Sequence, residues 1–185
     1  MKLRNWIWLA LALMVQSCIP SLHPLYTKDT IVFENSLLGT WTDNEDTYVF
    51  EKWKDNGYLF TYMDGPDQEQ YEVHLVKLGS EYYLDFYSHR KEGLFPGDDA
   101  ALAPLIRTHS FAKVKWDRKK LEISHFAELE WLEDLFDQRK IRIKHERIDD
   151  EIVLTAGPRE LQKFFLKYAN DPNIFTETVS LKRPL

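Results

Sequence analysis

The chain has 185 residues, enough for one domain of ordinary size. Apolar residues make up 44% of it and aromatic residues 14%, which excludes a disordered chain because a core can be buried. The formal net charge of −6 argues against a nucleic-acid-binding protein, which needs a basic face to neutralise phosphates. The single cysteine, Cys18, also excludes an internal disulfide.

The first seventeen residues have the three parts of a secretory signal peptide. Lys2 and Arg4 give a charged start, and residues 6–15 form an uninterrupted apolar run. At about 1.5 Å per residue this run is about 15 Å long, too short for a hydrocarbon core of about 30 Å. A signal peptide over residues 1–17 is therefore favoured over a transmembrane helix. Its removal takes away Lys2 and Arg4 but no acidic residue, which changes the net charge from −6 to −8.

The signal ends in Val15-Gln16-Ser17-Cys18, which resembles the lipobox of bacterial lipoproteins. The resemblance implies cleavage before Cys18, a thioether-linked diacylglycerol (lipidation) on its sulfur and an acylated new N-terminus. Two or more acyl chains anchor a protein stably to a membrane. The residue after the cysteine is Ile19 and not an aspartate. By analogy with enteric lipoproteins, this favours the outer membrane, facing the periplasm. A plain signal peptide or membrane anchor that contains a chance cysteine is the alternative.

Residues 18–36 are predicted to form a lipidated tether, and residues 37–185 one domain of short strands joined by tight turns. Asn56-Gly57 is the strongest of the hairpin signals, and residues 88–106 form a longer loop. The predicted strands are Leu37–Asp43, Asp46–Trp53, Tyr58–Met63, Glu69–Leu78, Glu81–Tyr87, Thr108–Trp116, Lys119–His125, Lys140–Ile148, Glu151–Thr155 and Thr176–Lys182.

Two segments, Ala127–Arg139 and Pro158–Asn170, carry apolar residues at helical spacing. Pro158 stands at the first turn of the second segment, where its missing N–H costs nothing. The pattern predicts a mainly β (α+β) fold. Its core is an antiparallel barrel or a half-open sandwich of about 8–10 strands, capped by the two amphipathic helices.

The first strand begins with Leu38-Gly39-Thr40-Trp41, which resembles the Gly-x-Trp signature of lipocalins and lipocalin-like proteins. The resemblance implies a closed barrel in which Gly39 allows a close backbone turn and Trp41 closes the base. It also implies that a C-terminal basic residue, here Arg183, packs on the tryptophan. The chain as a whole resembles uncharacterised bacterial lipoproteins whose first strand carries the same Gly-Thr-Trp, and this brings no activity with it.

Aromatic residues alternate along neighbouring strands and are predicted to share an inward face. They are Tyr48, Phe50, Tyr58, Phe60, Tyr62, Tyr71, Tyr82 and Phe86. They either fill a packed core or line a cavity for an apolar ligand, with phenol hydroxyls as polar groups. Tyr83 and Tyr87 directly follow Tyr82 and Phe86 on the same strand. Their side chains are therefore expected on the opposite face, as an exposed patch for a partner.

Motifs for catalysis are missing from the sequence. It has no G-x-S-x-G elbow, no P-loop and no dinucleotide fingerprint, and no histidine pair has the spacing of a helical metal clamp. His89 and His109 flank the long loop and could meet. Even so, no metal or other cofactor is expected, and the chain is not expected to be an enzyme. Two functions stay open. A membrane-anchored lipoprotein could bind a small hydrophobic ligand, or an envelope interaction and assembly lipoprotein with a solid core could bind a protein partner.

Overall fold

The computed structural model describes residues 19–43, 45–88, 107–126, 129–138, 140–148 and 151–184. The predicted signal peptide and Cys18 lie outside the described residues, as does His89. Among the described residues, no helix has the length and apolar character that crossing a bilayer requires.

Strands dominate the described part of the chain. They are β1 (Ile31–Val32), β2 (Gly39–Thr42), β3 (Thr47–Lys52), β4 (Tyr58–Asp64), β5 (Asp67–Leu78), β6 (Glu81–Ser88), β7 (His109–Trp116), β8 (Lys120–Phe126), β9 (His145–Ile148), β10 (Glu151–Leu154) and β11 (Phe175–Lys182). The α-helices are α1 (Leu129–Asp137) and α2 (Pro158–Lys167). Short 3-10 helices cover Asn35–Leu37 and Lys54–Asn56.

Eight strands close into an antiparallel barrel in the order β2-β3-β4-β5-β6-β7-β8-β11. Neighbours in sequence pair as hairpins, and β11 closes the ring by pairing with β8 along its length and with β2 at Lys182 and Thr42. The mainly β fold and the barrel are therefore confirmed, and the half-open sandwich is wrong. Below, the base is the end at which β2 and β4 begin, and the rim is the end at which β3, β5 and β7 begin.

The β3–β4 hairpin turns one residue earlier than its Asn-Gly pair suggests. Asp55 and Asn56 occupy the two central positions with φ of 51° and 59°, and the N–H of Gly57 donates to the carbonyl of Lys54 at 2.8 Å. Two left-handed central residues define the turn type whose twist matches an antiparallel pair. Asp and Asn tolerate this region because their short polar side chains bond locally. The hairpin is thus formed by Asp55-Asn56, with Gly57 at its exit.

The two faces of the barrel wall bury separate clusters, as strand alternation requires. The inner cluster fills the barrel around Trp41, Phe50 and Tyr58, with Leu75 of β5 and Leu84 of β6 from the facing wall. These large side chains are all almost fully buried. Full burial of one such side chain contributes about 1.5–3 kcal/mol. The inner cluster therefore supplies much of the stability of the barrel.

The outer cluster lies between the wall and the segments that follow β8. Phe165 of α2 packs edge-on against Tyr83 of β6 and Phe111 of β7, with ring centroids 5.3 and 5.4 Å apart. Leu132 of α1 and Ile152 of β10 belong to the same cluster. Both helices thus turn apolar residues toward the outer cluster. The idea that they cap the barrel stays a prediction.

One predicted part of the meander lies outside the barrel. Among the described strands, β9 and β10 pair only with each other, Ile148 opposite Glu151 and His145 opposite Leu154. Residues 140–144, which were expected to begin this hairpin as a strand, are not in a strand. Instead the carbonyl of Lys144 accepts from the N–H groups of Thr155 and Ala156 at 2.9 and 3.1 Å. Helix, hairpin and helix therefore form one insertion between the seventh and eighth barrel strands.

Residues 19–30, assigned above to a tether, pack along the outside of the barrel. Ile19 is 3% exposed, and Ser21 and Leu25 are fully buried. Ser21 forms an antiparallel bridge to His109 of β7 and a parallel bridge to Leu154 of β10. The segment then continues into β1, where Ile31 lies opposite Val76 of β5. The described residues after Cys18 thus belong to the folded domain.

Candidate functional site

The base of the barrel is closed by Trp41 and Arg183. The guanidinium carbon of Arg183 lies 3.8 Å from the centre of the Trp41 ring, a close cation–π contact. The indole N–H of Trp41 donates to the carbonyl of Leu37 at 2.9 Å. Arg183 donates to the carbonyls of Leu38 and Ser36 at 2.8 and 2.7 Å. The residue pair that the lipocalin resemblance implied is therefore present in the structure.

Gly39 is required where it stands for two reasons. Its φ of +105° lies in a region that residues with a Cβ rarely adopt. A Cβ built on Gly39 would also lie 2.7 Å from an Nη atom of Arg183, which the carbonyls of Leu38 and Ser36 hold in place. The glycine thus lets the chain approach the guanidinium that covers Trp41.

The predicted aromatic residues all lie in or against the inner cluster. Phe50, Tyr58 and Phe60 are buried. The others are only partly buried: Tyr48, Tyr62, Tyr71, Tyr82 and Phe86. Tyr82 lies toward the base, where its ring meets Trp116 at 5.0 Å. The remaining four lie toward the rim, so the inner face is partly open to solvent there.

Ring contacts connect these rim residues through Phe60. Its ring centre lies 5.3 Å from that of Phe86 and 6.2 Å from those of Tyr48 and Tyr71. Tyr48 and Tyr62 are 5.2 Å apart. Offset and edge-on pairs at such distances are the favoured arrangements of aromatic rings. The rim therefore has a continuous aromatic surface on its inner side.

Phenol hydroxyls give this surface its polar groups. The Tyr62 hydroxyl donates to a carboxylate oxygen of Asp46 at 2.8 Å, and that of Tyr71 to Glu69 at 2.6 Å. Burial raises the pKa of Tyr48 to about 12, and nearby carboxylates add to the shift. Burial also raises the pKa of Tyr62, so the phenols of Tyr48 and Tyr62 stay protonated at neutral pH. The rim hairpins add Asp43, Glu45, Asp64 and Asp67 and contain no basic residue.

A second polar group lies on the outer wall, under the N-terminal segment. Asp85 of β6 is 1% exposed. Its carboxylate accepts the N–H of Leu25 at 2.6 Å and lies 2.6 Å from Nδ1 of His109. Burial raises the pKa of Asp85, while His109 and the N–H of Leu25 oppose the shift. The Asp85–His109 pair holds the segment in place.

Sequence reasoning missed this pair because His109 was considered only as a partner of His89. The available signal was a carboxylate at an outward position of β6, between Tyr83 and Tyr87. Asp85 and His109 lie diagonally across the β6–β7 ladder, in which Tyr87 is opposite His109. Diagonal neighbours of this kind are within reach of each other's side chains.

Among the described residues, no group of three His, Cys, Asp or Glu side chains could hold a metal ion.

The exposed patch predicted at Tyr83 and Tyr87 is wrong. Both side chains do point away from the inner face, but Tyr83 is 0% exposed because α2 covers it. Tyr87 is half-buried, with its ring 4.6 Å from that of His109 and the guanidinium of Arg107 4.4 Å above it. The physical reason at Tyr83 is the insertion, whose helix α2 packs over it, whereas Tyr87 is covered by His109 and Arg107.

The Tyr83 hydroxyl predicts an unusual stability effect. It is the one buried side-chain polar atom without a hydrogen-bond partner among the described residues. Since an unsatisfied buried hydroxyl costs about 1–3 kcal/mol, Tyr83→Phe is expected to raise the free energy of unfolding by about 1 kcal/mol. Tyr58→Phe is the matched control. Its hydroxyl donates to the carbonyl of Glu34 and accepts from its N–H, so its loss should destabilise. Urea unfolding measures both variants. A Tyr83→Phe variant that is less stable than the unaltered chain would contradict this account.

His125, on the inner face of β8, predicts a pH effect. Burial lowers its pKa below the ordinary 6.5, with Glu177 opposing. When the pKa of a histidine is lower in the folded chain than in the unfolded chain, its contribution to the stability of the fold is complete above the unfolded pKa. This contribution is lost as the pH falls through the folded pKa. His125→Gln should therefore lose less stability than the unaltered chain between about pH 7 and about pH 5. Parallel stability curves from denaturant titrations at both pH values would show that His125 has no such role.

Two surface pockets lie outside the barrel. The larger, about 620 Å³, lies on the outer faces of β7, β8 and β11 and is lined mainly by polar residues. The smaller, about 390 Å³, lies between α2 and residues 140–142. Its lining has four cations and one carboxylate (Lys140, Arg142, Lys163, Lys167 and Glu160) beside Ile141, Phe164 and Tyr168. Neither pocket is lined by any of the eight predicted aromatic residues.

The closed ring of eight antiparallel strands is compatible with the lipocalin-like fold. Its base agrees, since Gly39, Trp41 and Arg183 meet there. Comparisons of the chain with protein-family models, with curated protein sequences and with solved structures found no match.

Proposed function

We propose that this chain is a membrane-anchored bacterial lipoprotein that binds a small hydrophobic ligand without converting it. The observation that carries the proposal is the partly exposed aromatic surface inside the rim, above a base filled by Trp41, Phe50 and Tyr58. Barrels of eight strands leave room for one small ligand when side chains do not fill them completely. The ligand would lie against Tyr48, Tyr62, Tyr71 and Phe86.

The chemistry of this surface sets the kind of ligand. Aromatic rings with ordered spacing favour a flat or chain-like apolar body. The hydroxyl of Tyr62 already donates to Asp46, so it offers only acceptor capacity to a ligand. A ligand with an apolar body and a donor at one end therefore fits best.

Ligand binding is tested with the purified full-length chain in detergent. Native mass spectrometry should detect a co-purifying small molecule, and a neutral fluorescent probe such as N-phenyl-1-naphthylamine should compete with it. Tyr48→Ala at the rim should weaken probe binding severalfold. Tyr82→Ala, a partly buried inner-face tyrosine toward the base, is the matched control and should not. A chain without a bound molecule whose two variants bind the probe equally would reject the proposal.

Anchoring rests on Val15-Gln16-Ser17-Cys18, and Cys18 is the residue that would carry the lipid. Metabolic labelling with palmitate should label the chain, and Cys18→Ala should abolish the label and the membrane association together. Fractionation should place the labelled chain in the outer membrane, where Ile19 after the cysteine directs it by analogy with enteric lipoproteins. Label that persists in Cys18→Ala would contradict the anchor.

The second candidate is an envelope interaction and assembly lipoprotein. It is favoured by the nearly complete burial of Trp41, Phe50 and Tyr58, which makes the lower barrel solid. The Tyr83 surface can no longer serve as its partner site because α2 covers it. Crosslinking in membranes should trap a reproducible protein partner if this function holds. Such a partner together with an empty barrel would favour it over ligand binding.

A further inference from the structure

The N-terminal segment runs down the barrel wall from the rim to the base. Ser21 exchanges backbone hydrogen bonds of 2.8 Å with His109, the first residue of β7 and therefore a rim residue. Leu25 then bonds Asp85, farther from the rim, and Ile31 lies opposite Val76 near the end of β5. Followed backward, the chain leaves the domain at the rim.

The connection between this exit and Cys18 is short. Ser21 is held by bridges on two sides, and Ile19 is 3% exposed. The carbonyl of Pro20 accepts the N–H of Leu154 at 2.8 Å. Three peptide units join Ser21 to Cys18, and consecutive Cα atoms are 3.8 Å apart, so these two Cα atoms lie at most about 11 Å apart. A lipid on Cys18 would therefore enter its membrane within a short distance of the rim.

The β9–β10 hairpin extends past the same exit. Its strand β10 is parallel to the N-terminal segment at Ser21 and Leu154, so Glu151 lies on the rim side of Leu154. Three residues at about 3.3 Å each place Glu151 and the opposite Ile148 about 10 Å farther out. Ile148, opposite Glu151, is 59% exposed there.

We propose that the domain stands on the bilayer with its rim facing the membrane, held by Cys18 without a flexible linker. This inference rests on the proposed function in one respect, the lipidation of Cys18. Its partner is the lipid surface that holds the anchor, and the described residues that meet it are those of the rim hairpins and the exposed Ile148. The partly open aromatic end of the barrel is then the end closest to the lipid.

The charges of the described turns favour the opposite orientation, which makes the proposal testable. The described residues of the two rim hairpins include Asp43, Glu45, Asp46, Asp64 and Asp67 and no basic residue, although Arg107 lies at the same end. The base turn of residues 117–120 carries Arg118, Lys119 and Lys120 beside one acid, Asp117. Anionic lipid attracts basic segments and repels acidic ones. A domain free to turn would present its base to such a membrane. The short connection to Cys18 holds the rim there instead.

The test uses the full chain, lipidated in its host and reconstituted into vesicles of phosphatidylethanolamine and phosphatidylglycerol. Cys18 is the only native cysteine, and its sulfur is blocked when lipidated, so one introduced cysteine can be labelled with a fluorophore. Ile148→Cys and Gln68→Cys place it on two sides of the rim, and Lys119→Cys places it at the base. A nitroxide on the lipid headgroups should quench both rim labels at least threefold more strongly than the base label.

A linker variant is the control. About ten Gly and Ser residues inserted between Cys18 and Ile19 have a root-mean-square reach of roughly 18 Å, which lets the domain turn. Vesicle flotation should persist in this variant while the difference between rim and base labels disappears. Equal quenching of all three labels without the linker, or stronger quenching at Lys119→Cys, would overturn the orientation. A chain that does not float and whose Cys18 thiol still reacts would instead overturn the anchor itself.

Discussion

Replacing Trp41 by alanine is expected to destabilise the barrel by about 3–5 kcal/mol, because a fully buried indole leaves a large cavity when it is removed. The loss includes the hydrogen bond from the indole N–H to Leu37 and the face on which the Arg183 guanidinium lies. Trp41→Phe keeps a ring under the guanidinium but not the N–H, so it should cost less. Guanidinium chloride unfolding of the two variants measures both losses.

Trp53→Ala is the matched control for this experiment. Trp53 lies next to the β3–β4 turn and is partly exposed, so its removal creates no closed cavity. We expect it to cost less than about 1 kcal/mol. A double-mutant cycle of Trp41→Leu and Arg183→Met should then give a coupling energy of about 0.5–2 kcal/mol. No coupling, or an equal cost at both tryptophans, would show that the base does not depend on the Trp41–Arg183 contact.

The base could be predicted from sequence because its signal is short and local. Gly39 and Trp41 stand two residues apart on one strand, and the strand period of two places both on the inner face. Arg183 follows the last strand, which must return beside the first for the ring to close. The inner aromatic residues were predictable for the same reason, since each alternates with outward neighbours.

The wall could not be predicted in the same way, because what covers an outward residue is decided by distant segments. Tyr83 has the pattern of an exposed residue on a one-sided sheet, and only the position of α2 buries it. Residues 145–154 have the pattern of a barrel hairpin. They pair outside the ring because β11, which comes later in the chain, takes the place beside β8. Alternation gives the face of each residue but not the order of the strands.

The N-terminal segment shows a further limit of sequence patterns. With Pro20 and Pro24 it has the composition of a tether, yet Ile19 and Leu25 are buried. Its attachment depends on backbone hydrogen bonds to His109 and Leu154, which no side-chain pattern encodes. The only residue-specific signal was Asp85, an acid among apolar and aromatic residues in the middle of its strand, and its partner Leu25 is sixty positions away.

Replacing Asp85 by alanine is therefore expected to release this segment. The change leaves the N–H of Leu25 and Nδ1 of His109 buried without their partner, at a cost of about 2–4 kcal/mol. Asp85→Asn is the graded control. Its amide oxygen can still accept the N–H of Leu25, so the loss should be smaller, although the amide does not carry the carboxylate charge. Unfolding by urea measures both costs.

Hydrogen exchange of the same variants locates the effect. In Asp85→Ala, the amides of residues 19–30 should exchange much faster, while those of β3 and β4 on the far side of the barrel should keep their protection. The orientation on the membrane should loosen together with the segment, because the short connection between Cys18 and the rim depends on it. Unchanged exchange at residues 19–30 would mean that the two backbone bridges of Ser21 hold the segment without Asp85. In that case the buried pair would have to serve another purpose than attachment.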